Sequence, residues 1–134
     1  MKAAFEVLKK SRVLILKVID GLTIEQLNKT PEGFNNNIAW NVAHLVVTQQ
    51  LLCYKLSKLN CSVSDEMISN FGKGSAPNYI ISEEEFNAFK KLFIELANVL
   101  EEDYTKGIFN EFLEYTTSVD ITLNTIEEAI SFNN

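Results

Sequence analysis

The sequence predicts an all-α bundle, and three observations carry that prediction. Only five glycines and two prolines interrupt 134 residues, which suits long helices better than many tight turns. Apolar residues recur at helical spacing through three long stretches, residues 2–20, 34–59 and 83–104. Each stretch is bounded by residue types that start or stop helices. The length fits one domain, residues 1–134, burying roughly two thirds of its unfolded surface.

In the first helix, Phe5, Leu8, Ile15, Ile19 and Leu22 make a stripe interrupted by Arg12. Further apolar residues at 7, 13, 14, 16 and 18 widen it, as expected of a bundle helix that meets two partners or another subunit. Arg12 reads as a stem along the bundle with its head in water, the alternative being a pocket cation for an anionic ligand. Gly21 stops the helix, because glycine enters the left-handed cap without a side-chain clash. Thr23 with Gln26 then fits a capping box for a short helix to Asn28.

The second long helix is expected from an asparagine cap at 35–37 to about Asn60. Residues 61–82 lose the pattern. Ser64 starts one short helix there, and Gly72, Gly74, Ser75 and Pro77 give a long crossover. Lys73 and Tyr79 read as parts of that crossover, with ligand contact as the alternative. Ser82 and Glu85 cap a third helix, whose seam is Phe86, Phe89, Phe93, Leu96, Ala97 and Leu100. Residues 108–113 read as a short helix or turn, and 114–123 as extended. Asn124 or Thr125 caps a short last helix, Glu128 completing a box from Thr125, with Ile126, Ala129 and Ile130 inward.

Net charge is −6, with no basic block longer than Lys9-Lys10 or Lys90-Lys91. Nucleic-acid binding relies on clustered cations that displace counterions, so no nucleic-acid partner is expected. No apolar run reaches the length of a membrane span and no signal peptide is evident, so no membrane partner is expected and a cytoplasmic location is. Cys53 and Cys61 are too few for a disulfide framework, and Cys53 reads as a buried or half-buried free thiol. No phosphate loop, nucleophile elbow or Cys-x-x-Cys pair is present.

His44 is the only histidine and Trp40 the only tryptophan. At about 100° per residue, Asn37, Trp40, Asn41 and Thr48 fall within roughly 60° of His44. Asn37, Asn41 and Thr48 are therefore candidates to orient His44 by hydrogen bonds. Trp40 reads as a packing anchor whose indole N–H finds a carbonyl. Asn41, Asp120, Glu111, Glu114, Glu127 and Glu128 carry oxygen donors without recognisable spacing from His44.

The segment NNNIAWNVAHLVVTQQLLCYKLS, with its core Trp40, Asn41 and His44, resembles the second helix of the DinB-like four-helix-bundle proteins. The closing run from Thr116 to Asn134 resembles the start of that family's last long helix. The resemblance implies a four-helix bundle with a long crossover and a short or truncated last helix. It also implies a divalent metal, zinc or nickel, held by His44 together with a His-x-x-x-His pair expected just beyond Asn134. Metal-dependent chemistry follows from it, such as a thiol-dependent transferase or a hydrolase. The alternatives are a binding module for a small molecule in the same cleft, and a structural homodimer. A dimer is compatible with the other two readings as well.

Overall fold

A computed structural model describes residues 1–133; Asn134, the end of the last-helix resemblance, lies outside the described residues. Helix α1 (Lys2–Ile19) is followed by the short α2 (Ile24–Asn28), then α3 (Ile38–Gln49), the short α4 (Asp65–Phe71) and the long α5 (Glu83–Lys106). A two-stranded antiparallel hairpin, β1 (Tyr115–Thr116) with β2 (Thr122–Leu123), pairs Tyr115 with Leu123 and leads into α6 (Ile126–Phe132). The protein is thus all-α, a four-helix bundle of α1, α3, α5 and α6 with a long crossover. Helix α5 packs against both α1 and α3, and α6 packs on the lower end of the α3 segment and on α1.

The caps form where the residue types place them. Thr23, Asn37, Ser64, Ser82 and Thr125 each accept an amide hydrogen from the third residue on. At α5 the Glu85 carboxylate accepts from the Tyr79 hydroxyl at 3.0 Å instead of turning back on Ser82. The crossover is fastened by Asn28, whose side chain donates to the Ile81 carbonyl and accepts from the Ile81 amide, both at 2.8 Å. That two-way bond does for one residue what a strand neighbour would do.

Two apolar clusters stack along the bundle. The upper one gathers Trp40, Val47, Phe71, Phe89 and Phe93, and the lower one Phe5, Leu8, Leu52, Leu100 and Ile130. All six expected seam residues of α5 are buried, as is Cys53. In α1 the inward row is Phe5, Leu8 and Arg12, with Leu16 and Ile19 packed above, while Ile15 and Leu22 are exposed.

The second long helix departs from expectation in its winding. After Gln49 the chain continues as a π-turn over Gln50–Tyr54 and a 3-10 turn over Lys55–Ser57. It stops at Lys58, whose φ of 60° is left-handed, and so ends short of Asn60. Two consecutive glutamines are buried there. Gln49 Nε2 donates to the Leu96 carbonyl at 3.0 Å, and Gln50 Oε1 accepts the Ser62 amide at 2.7 Å. Residues 108–113 form no helix.

Arg12 corrects the expectation of a head in water. It is 4% exposed, donates from Nη1 to the Phe93 carbonyl at 2.7 Å, and holds its guanidinium 4.5 Å from the Phe93 ring centroid. Among the described residues no carboxylate pairs with it, and burial lowers its pKa to about 10. A charge buried with one carbonyl and one ring is incompletely repaid for its lost water. Arg12→Met is therefore expected to leave stability within about 1 kcal/mol of wild type or above it, whereas Arg12→Ala opens a void and costs about 2–3 kcal/mol. Urea unfolding of both variants checks this.

Burial pushes the Cys53 thiol up to about 12. Between pH 9 and 12 the unfolded thiol has lost its proton while the folded one keeps it, so stability falls as pH rises. The lowered Arg12 acts in the opposite sense above pH 10, and Tyr54, raised by burial and by its bond to Asp103, acts with Cys53. Cys53→Ala is expected to flatten the alkaline loss, as read by urea midpoints from pH 8 to pH 11; an unchanged slope would remove Cys53 as a cause.

Candidate functional site

The phase of α3 is set at Asn37, whose Oδ1 accepts the Trp40 amide at 2.8 Å. One turn on, the Trp40 indole donates to the Asn70 carbonyl at 3.1 Å. Its ring lies against the His44 imidazole, with centroids 4.6 Å apart and planes 13° from parallel. His44 Nδ1 sits 2.6 Å from the Phe71 carbonyl oxygen at the end of α4. A carbonyl only accepts, so Nδ1 carries the hydrogen and Nε2 of the neutral ring presents its lone pair. That lone pair faces the Thr48 hydroxyl, 3.5 Å away.

Beside His44 and Thr48 opens a cleft of about 320 Å³, at the small end of ligand sites, which span roughly 300–1,000 Å³. Leu51 and Leu52 of the π-turn, Leu56 of the 3-10 turn and Phe132 of α6 give its apolar lining. Tyr115, Thr117 and Ser118 of the hairpin and the exposed Lys55 and Lys73 complete the lining. A mostly apolar cleft with a few converging polar groups is the usual form of a small-molecule site.

Of the three residues expected to orient His44, Thr48 bonds its ring. Asn37 is occupied as the cap and by the Asn28 carbonyl, and Asn41 donates to Asn36 Oδ1 and to the Asn37 carbonyl. The groups that fix the imidazole are Trp40 and the Phe71 carbonyl instead. A backbone carbonyl brought in by tertiary packing leaves no side-chain signal, so no sequence pattern announces it. Lys73 does lie at the cleft, whereas Tyr79 is engaged with Glu85.

The residues present do not make a complete metal site. Structural and catalytic zinc or nickel sites use three or four donors at fixed geometry. Among the described residues no three His, Cys, Asp or Glu side chains converge. Three of the acidic candidates serve elsewhere: Glu111 faces Lys58, Glu127 accepts from Tyr104, and Glu128 caps α6. What remains at the site is one oriented imidazole.

These features define a class, a helical bundle whose second long helix carries a single fixed histidine into a half-open cleft. The DinB superfamily pattern matches residues 8–133. The chain belongs to the DinB superfamily. No curated protein and no solved structure matches it. Among the described residues no helix is long and apolar enough to cross a membrane.

Proposed function

We propose that this DinB-superfamily protein binds a small molecule in the cleft beside His44, with Nε2 as a hydrogen-bond acceptor or base. The observation that carries this reading is the bond from Nδ1–H to the Phe71 carbonyl, which fixes the ring and leaves Nε2 as its acceptor beside Thr48. The Thr48 contact, at 3.5 Å, is long enough for a ligand donor to replace. A thermal-shift screen tests it. Ligands found in wild type are expected to bind His44→Ala about five- to tenfold more weakly, the worth of one hydrogen bond. A flat response across broad libraries, or ligands indifferent to the substitution, would sink it.

A second reading keeps the metal that the family resemblance implies, with His44 as one donor to zinc or nickel. The same Nδ1 bond favours it, because ligating histidines are oriented by such partners. It requires donors beyond those that the described residues bring together, and the transferase or hydrolase chemistry rests on it. Metal content after chelation and reloading decides: about one ion per chain, lost in His44→Ala, supports this reading. No retained metal ends it.

A homodimer accompanies either reading. Its support is the outward row of α1, where Val7, Leu14 and Val18 are 53%, 61% and 75% exposed. Their spacing of seven and four residues makes a seam that a second copy can meet with the same residues. A monomer by sedimentation at high concentration would exclude it.

A further inference from the structure

We infer that the cleft takes an amphipathic anion, a molecule with an apolar body and one carboxylate. This rests on the ligand-binding reading, and it adds the chemical class of the ligand.

The charge at the cleft is the reverse of the charge of the chain. Acidic residues outnumber basic ones by eighteen to twelve, yet among the described residues the lining holds Lys55 and Lys73 and no acidic side chain. Among the described residues neither lysine is in an ion pair. Lys73 Nζ lies 3.5 Å from the Tyr115 hydroxyl and 6.0 Å from that ring's centroid. A phenol and its ring leave the ammonium without a counter-charge, so an arriving carboxylate gains an attraction that solvent screens in part.

The interior sets the other half of the ligand. Leu51, Leu52, Leu56 and Phe132 offer apolar surface, which rewards a hydrocarbon or aromatic body. A cationic ligand meets two like charges and, among the described lining residues, no carboxylate side chain, and a neutral one gains nothing from the lysines. The carboxylate therefore lies toward one of the exposed lysines, and the body lies against these apolar residues.

A matched series of octanoate, octanol and octylammonium, each below its aggregation concentration, tests the inference by calorimetry and by emission of Trp40. Octanoate is expected to bind about tenfold tighter than octanol, with octylammonium weakest, and added salt weakens octanoate alone. The double variant Lys55→Gln/Lys73→Gln is expected to lose that tenfold for octanoate and to leave octanol unchanged. Both lysines are exposed, and thermal unfolding checks that the variant is folded. Octanol binding as tightly as octanoate to wild type overturns the anion inference and leaves the cleft reading standing. Unchanged octanoate affinity in the double variant does the same. Failure of all three molecules to bind overturns both.

Discussion

Replacing Phe93 with alanine is expected to lower stability by about 3–5 kcal/mol, the range for emptying a buried aromatic site. Phe93 has no exposed surface, and α5 places it in the upper apolar cluster with Arg12 of α1 against it. Its ring also lies under the Arg12 guanidinium, so truncation opens a cavity and removes half of what receives a buried charge. A domain of this size holds about 5–15 kcal/mol in all, so the loss is a large share. The midpoint of thermal unfolding should fall by on the order of 10–20 °C. Phe93→Leu, which refills much of the volume, should cost clearly less. A loss below about 1 kcal/mol for the alanine variant would contradict the packing described for α5.

Trp40→Ala is expected to cost a similar amount, about 3–5 kcal/mol, and to disturb the site as well. Trp40 does two jobs: its indole N–H bonds the Asn70 carbonyl, and its face covers one side of the imidazole. Removing it opens that side of His44 and frees the ring from its stack. Trp40→Phe keeps a ring and loses one hydrogen bond, for about 1 kcal/mol. Nitrogen-detected NMR of the imidazole separates the two. The Nδ1–H tautomer should persist in Trp40→Phe and be lost or averaged in Trp40→Ala. An unchanged tautomer in Trp40→Ala would mean that the Phe71 carbonyl alone holds the ring.

Much of the fold was legible because local chemistry decided it. Thr23, Asn37, Ser82 and Thr125 accept first-turn amides as their types foretell, and the phenylalanine period of α5 identified its buried face. The extended reading of 114–123 became the β1–β2 hairpin. Arg12 was misread by its type, although it falls in helical step with Phe5 and Leu8, and that spacing was the signal for burial. At the site, helical spacing put Thr48 beside His44. It could not reveal the Phe71 carbonyl, or the hairpin residues Tyr115, Thr117 and Ser118, because the fold brings these in from distant segments.

The π-turn at Gln50–Tyr54 has a consequence for the shape of the cleft. On a straight α-helix, residues taken every fourth position wind around the axis by about 40° per step, so a wall built from them twists out of line. A turn closed by longer-range bonds holds one more residue than an α turn and takes up much of that rotation. His44, Thr48, Leu52 and Leu56 all border the same cleft, three steps from first to last. The wide turn acts as a phase correction that takes out part of this drift, so one row of side chains borders the cleft over about three turns.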